Sequence, residues 1–220
     1  MKSVAFVPIK LNSERLPGKN IKSFTNGKPL LSYILNTLKE VKELDDIYVF
    51  CSSEDIKEFI PEGVTFLRRD IYLDLSTTSF NEVIASFVNQ IDADTYVLAH
   101  ATAPFLSSSS ISKCINAVNN DGYDSAFTVM ELQEFLWQKG KPLNYSLEHI
   151  PRTQDLERVV METCGLYVFT KQLIVDRQCR IGSNPCFVSV SKIEACDINT
   201  EEDFVIADSI FNHVYMHDNG

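Results

Sequence analysis

Three observations predict a three-layer α/β/α sandwich on a mostly parallel sheet. Strand-like and helix-like segments alternate, the strand-like runs are apolar enough to be buried on both faces, and polar loops fall where those runs end. The 220 residues suit a single domain spanning 1–220. A globule of that size buries roughly 70% of its unfolded-chain surface and needs neither disulfide nor metal to hold a core. The apolar share of 45% agrees with that.

Residues 4–9 are a short apolar run suited to a buried parallel strand, and residues 10–28 follow as a polar loop containing Pro17 and Gly18. Leu30, Leu31, Ile34, Leu35, Leu38 and Val41 then recur at helical spacing, with Pro29 at the helix start, where a missing N–H is tolerated. Residues 47–51 read as a second strand, 52–59 as a short helix and 64–67 as a third strand. A helix over 80–91, a strand over 96–99, a helix over 111–118 behind the serine run 107–110, and a strand over 126–130 continue the alternation. From 131 to 155 the pattern breaks into a mixed polar and aromatic stretch, an excursion from the core. Residues 164–169 and 187–190 return as strands, and Thr200 through Asp203 resembles a capping box opening a last helix to Phe211.

The net charge is −10, which argues against sequence-independent binding to nucleic acid or an anionic membrane. Its distribution is uneven. Residues 1–30 carry a net +5 and the remainder a net −15, so a small anion is the expected customer of the N-terminal segment. No stretch approaches the ~20 apolar residues of a membrane span, and no cleavable apolar segment precedes the first strand. The six cysteines form no Cys-x-x-Cys pair and read as reduced residues of a cytoplasmic protein.

In open parallel sheets ligands bind beyond the carboxyl ends of the strands. That rule gathers residues 10–20, Ser52 and Ser53, 100–105 and 197–200 on one rim. The first of these loops holds Lys10, Arg15 and Lys19 within ten residues, with Pro17 and Gly18 setting its path for close backbone approach to phosphate. It is neither a Walker A loop nor a Gly-x-Gly-x-x-Gly fingerprint, which disfavours a P-loop NTPase and an ordinary NAD enzyme. On spacing alone, a solvated basic loop is the alternative.

The segment from Pro8 to Asn20 resembles the N-terminal signature of the acylneuraminate cytidylyltransferase family, and its Arg15-Leu-Pro-Gly-Lys19 run is similar, more distantly, to that of the 3-deoxy-manno-octulosonate cytidylyltransferases. Segments 27–31, 49–53, Leu67-Arg68-Arg69, Ser76–Ser79, 98–104, Pro151-Arg152, Gly165-Leu-Tyr167 and Asp197-Ile-Asn199-Thr200 continue that likeness in order over nearly the whole chain. The resemblance implies a Rossmann-like mixed sheet of the nucleotide-diphospho-sugar transferase type. It also implies transfer of CMP from CTP to the anomeric hydroxyl of an acidic sugar, with release of pyrophosphate and Mg²⁺ as cofactor.

Carried over residue by residue, Lys19, Lys10 and Arg15 would face the triphosphate as the catalytic cations. Pro8, Ile9, Asn20, Arg68 and Ser79 would complete the nucleotide site. His100, Arg152, Tyr167 and Phe187 would bind the acceptor, and Asp197 with Asn199 the metal. Core packing is the alternative for Tyr167 and Phe187, a surface ion pair for Arg152, and a structural histidine for His100. The excursion with Phe135, Trp137 and Tyr145 would serve a homodimer, or else a satellite core.

Three positions depart from the family's pattern. Lys10 stands where an arginine is usual, Leu106 where many relatives have a basic residue, and Asn199 where a second aspartate is expected, which removes one negative charge from a hard-cation site. Two rivals stay open: nucleotide transfer to a phosphate acceptor, and a non-catalytic nucleotide-binding relative. His213 and His217 share a helical spacing but lack a third ligand, and the acids at 201–203 read as a charged first turn rather than a second metal site.

Overall fold

A computed structural model describes residues 1–215. The strands are β1 (Ser3–Ile9), β2 (Asp46–Cys51), β3 (Thr65–Arg68), β4 (Thr95–Ala99), β5 (Ser125–Leu132), β6 (Trp137–Gln138), β7 (Lys141–Pro142), β8 (Val159–Thr170) and β9 (Pro185–Ser189). The helices are α1 (Leu30–Lys39), α2 (Phe80–Val88), α3 (Ser108–Asn119), α4 (Lys171–Arg177) and α5 (Glu201–Ile210). Seven strands form one sheet in the order β3-β2-β1-β4-β8-β5-β9. β8 alone runs against the others, pairing antiparallel with both β4 and β5. The expected mostly parallel sandwich is therefore present.

Each face of the sheet is covered by helices whose apolar stripes match it. Leu31, Ile34, Leu35 and Leu38 of α1 and Ile111, Cys114, Ile115 and Val118 of α3 pack on Ala5, Val7, Val49, Val97 and Val168. On the opposite face Val83, Ile84 and Phe87 of α2 and Leu173 and Ile174 of α4 meet Val4, Phe6, Leu98, Phe127 and Phe169. Phe6 and Phe87 stack at 4.1 Å there. Each such side chain contributes about 1.5–3 kcal/mol on burial. A third cluster joins Leu16, Phe24, Leu30 and Phe105 to Ile198, Phe204 and Ala207, tying the loop after β1 to α5.

The helix starts follow capping chemistry. Ser79 and Thr200 both make reciprocal capping boxes, with Glu82 and Asp203, and Ser107 caps α3. The segment expected as a helix over 52–59 is a 3₁₀ stretch over Glu54–Phe59. The excursion contains the β6–β7 hairpin, with the Phe135 and Tyr145 rings 4.8 Å apart and Trp137 exposed. All six cysteines are free thiols. No helix among the described residues is long and apolar enough to cross a membrane. His217 lies outside the described residues, and His213 Nδ1 lies 2.8 Å from the Ser209 carbonyl.

Candidate active site

The chain leaves β1 towards β2 and leaves β4 towards β5, so the winding reverses between the adjacent strands β1 and β4. Beyond that point lies a cleft of about 570 Å³. Pro8, Lys10, Ser13, Arg15, Lys19 and Asn20 line one wall, His100, Ala101, Thr102 and Cys164 another, and Phe80, Asp197 and Asn199 complete it. A second cavity of about 320 Å³, between α1 and the start of α3, shares no lining residue with it.

The loop after β1 is shaped by its own backbone. Gly18 takes the left-handed region at φ 68°, and the Gly18 carbonyl accepts from Ile21 N at 3.0 Å. Asn20 is buried and its amide donates to the Lys10 carbonyl at 3.1 Å, drawing the two ends of the loop together. Leu16 is sunk in the third apolar cluster, which directs its neighbours Arg15 and Lys19 to the residues before α5. Lys19 Nζ donates to the Ile198 carbonyl at 2.9 Å. Burial lowers the lysine's pKa, an effect that Asp197 opposes and Arg15 reinforces.

Asn199 is engaged at both ends of its amide. Its Nδ2 donates to Asp197 Oδ2 at 2.5 Å, and its Oδ1 accepts from Arg15 Nη2 at 2.7 Å. The Asn199 and Thr200 backbone N–H groups donate to Asp203, which caps α5 from the same turn. Burial pushes against ionisation of Asp203, but these hydrogen bonds outweigh it and hold the carboxyl below its ordinary range. Among the described residues no three Asp, Glu, His or Cys side chains converge as a metal site. The donor set is thus one carboxylate, Asp197, beside a neutral amide. That suits a hard cation that keeps waters and takes further oxygens from a phosphate ligand.

The wall after β4 is held by close contact with β8. His100 N donates to the Gly165 carbonyl at 3.0 Å, and a Cβ placed on Gly165 would come 2.8 Å from Ala103 Cβ. The β5–β8 register shifts between Phe127 and Val129, so β8 bulges here, and Cys164 adopts φ 58° at the cleft wall. His100 stacks on Phe80 at 5.3 Å, and its buried Nε2 has no hydrogen-bond partner among the described residues. Burial pushes the imidazole down to about 4, with Arg180 adding to the effect and Asp197 opposing it.

The cleft therefore brings together Pro8, Lys10, Arg15, Lys19, Asn20, His100, Asp197 and Asn199 of the expected set. Others lie elsewhere. The Ile9 side chain is buried in the core under α1, so only its backbone is left for a ligand. Arg68 is 70% exposed and pairs with Glu54, because it ends the edge strand β3 on the outer side. Its neighbour Arg69 is the buried one. It pairs with Asp74 at 2.5 Å and lines an arm of the cleft with Lys10, Ser76, Thr78 and Phe80. The Ser79 hydroxyl is taken up by its capping box. Arg152 is 72% exposed and paired with Asp155 at 2.7 Å in the excursion, outside the cleft. Tyr167 is core, only 1% exposed, with its hydroxyl on Glu162 at 2.7 Å, and Phe187 lies 51% exposed on the edge strand β9. Sequence reading missed Arg69 as the inward member of the Arg pair, and Phe80 as a cleft wall. The adjacency of Arg69 to Arg68 was a usable signal for the first.

A doubly wound sheet with a cationic loop after its first strand, facing an acid–amide pair across the winding reversal, defines an α/β protein with an anion-binding cleft at its switch point. The sequence model of the cytidylyltransferase family matches residues 4–176, and the chain belongs to that family. It is 26% identical over 181 residues to an N-acylneuraminate cytidylyltransferase of Oncorhynchus mykiss, covering 77% of this chain and 41% of that protein. The chain thus spans less than half the length of that relative, and 49% of the similar enzyme of Danio rerio. It is 22% identical to a pseudaminic acid cytidylyltransferase of Campylobacter jejuni, with 97% of this chain and 98% of that one covered. Among solved structures, a CMP:2-keto-3-deoxy-manno-octonic acid synthetase complexed with CTP superposes with a TM-score of 0.71 at 12% identity, over the full length of both chains. A 4-diphosphocytidyl-2C-methyl-D-erythritol synthase of Anaerococcus prevotii superposes at 0.68 with 15% identity, covering 96% of this chain and 99% of that one.

Proposed function

We propose that the chain transfers CMP from CTP to the anomeric hydroxyl of an acidic sugar of the sialic, pseudaminic or 3-deoxy-manno-octulosonic acid kind. The observation that carries this reading is the convergence of Lys10, Arg15 and Lys19 opposite Asp197 in one cleft of a cytidylyltransferase-family chain. The acceptor oxygen bonds to the α-phosphorus, the bond from that phosphorus to the β-bridging oxygen breaks, and pyrophosphate leaves with the electron pair. The hydroxyl proton passes to solvent. Such transfer asks mainly for charge neutralisation and alignment, which the three cations supply. A cation ~4 Å from a phosphate oxygen attracts it by about 4 kcal/mol at an effective dielectric of 20, before desolvation. Asp197 would hold Mg²⁺ together with the triphosphate, and the ion would supply positive charge to the phosphate oxygens.

The same reading makes the protein a cytoplasmic homodimer joined through the excursion, where Trp137, Leu143, Leu147 and Ile150 are exposed. The test is pyrophosphate release from CTP and Mg²⁺ with each of the three acidic sugars. Turnover with CTP and one of them is expected. Equal turnover with UTP or ATP, or turnover with a sugar 1-phosphate alone, would overturn it.

A further inference from the structure

Arg180 follows α4 and rests on two aromatic rings. Its guanidinium lies 3.8 Å from the centroid of the Tyr167 ring and 5.4 Å from that of Phe80, the ring that also stacks on His100 and walls the cleft. The side chain is half-buried, and among the described residues it donates no hydrogen bond and forms no ion pair. Glu162, the carboxylate bound to the Tyr167 hydroxyl, stays outside ion-pair distance of it. A cation partly removed from water is costly unless an anion meets it. Arginine also keeps five N–H donors in the plane of its fork while its faces rest on aromatic rings. Beside it, the buried Nε2 of His100 has no hydrogen-bond partner among the described residues. His100 lines the cleft, and Arg180, whose fork is open to solvent, reaches it across the Phe80 ring that stacks on His100.

We propose that Arg180, held by Tyr167 and Phe80, receives the carboxylate of the acidic acceptor, with His100 Nε2 bonding a neighbouring polar group of the same molecule. The inference rests on the function proposed above and assigns the acceptor half of that cleft. A planar fork donates two parallel hydrogen bonds to a carboxylate. Arg152, committed to Asp155 on the surface, offers no such fork to the cleft of its own chain. Tyr167 then acts as a positioning residue beneath the fork, and not as part of the pocket lining.

The test compares the wild type with Arg180→Gln and Arg180→Lys, using CTP and whichever of the three acidic sugars turns over. The acceptor's KM is expected to rise on the order of 10- to 100-fold in Arg180→Gln and less in Arg180→Lys, while CTP affinity measured by calorimetry without acceptor stays within about twofold. The wild type should reject the methyl ester of the acceptor, and Arg180→Gln should lose most of that discrimination. Thermal midpoints of the three proteins separate a binding defect from a folding one. An unchanged acceptor KM, an equal loss of CTP affinity, or undiminished rejection of the ester overturns the assignment while the proposed function stands. If the wild type releases no pyrophosphate with any of the three acids, the function fails first and the assignment falls with it.

Discussion

Asn199 binds Asp197 through its own amide, Nδ2 to Oδ2 at 2.5 Å, and so turns its oxygen away from that carboxylate and onto Arg15. An aspartate in its place would set two carboxylates side by side, a pair that needs a cation or a shared proton to hold it together. The neutral amide therefore connects the basic loop to the acid without needing a metal to do so.

Asn199→Asp should tighten Mg²⁺ binding, because a second carboxylate adds attraction that an amide oxygen lacks. Titrating Mg²⁺ at saturating CTP should give a midpoint lowered by roughly 3- to 10-fold, and the rate need not rise. The same variant without metal should lose some thermal stability from the repulsion across the former hydrogen bond. An unchanged Mg²⁺ midpoint would place position 199 outside the metal's reach.

Lys19→Ala should lower turnover on the order of 10²-fold or more, since it removes a preorganised charge from the triphosphate. It should leave the fold standing, because the Lys19 side chain gives the structure one hydrogen bond, to the Ile198 carbonyl, and no core surface. Steady-state rates and a melting curve taken on the same sample check both halves. Near-normal turnover would return the loop to the status of a solvated basic segment.

His100 should make stability fall on acidification. Its folded value near 4 lies below the ordinary 6.5, so between those two values the unfolded chain binds the extra proton. The contribution is complete above about pH 6.5 and is lost as pH falls towards about 4, by at most about 1.4 kcal/mol per pH unit. Urea unfolding at several pH values, in the wild type and in His100→Gln, reads it directly. An identical acid slope in the two proteins would show that the imidazole is not the group responsible.

Gly165→Ala should destabilise the fold and damage the site together. The added methyl would lie 2.8 Å from Ala103 Cβ, forcing β8 away from the loop that carries His100. Overpacking of this kind costs about 1–3 kcal/mol. A melting midpoint within error of the wild type would mean that the two segments part without strain.

Much of this arrangement was legible locally. The basic loop announced itself by Lys10, Arg15 and Lys19, and Thr200 with Asp203 marked the start of α5 through capping chemistry alone. Ser79 illustrates the opposite case. Its x-x-Glu82 spacing is a capping signal, yet a family likeness suggested a nucleotide contact, and the hydroxyl is spent on the helix. Helix α4 was overlooked because seven residues with two buried side chains leave almost no periodic signal. The reversed direction of β8 and its bulge depend on partners distant in sequence, which no local pattern encodes. Tyr167 and Arg152 were separable only by three-dimensional placement, since an aromatic in a strand and an arginine in a loop are each compatible with pocket or surface.

The third apolar cluster carries a consequence for how the protein comes into being. Leu16 and Phe24 are synthesised some 180 residues before Ile198, Phe204 and Ala207, against which they pack. Until those residues leave the ribosome, the loop bearing Lys19 has only Leu30 and Phe105 of that cluster to rest on, and Asp197 is not yet there to meet it. A nascent chain can thus pair β1 with β2 and β4 before the wall opposite Lys19 exists. Ordering of the basic loop therefore depends on contacts far apart in the sequence, and not on the strand that carries it.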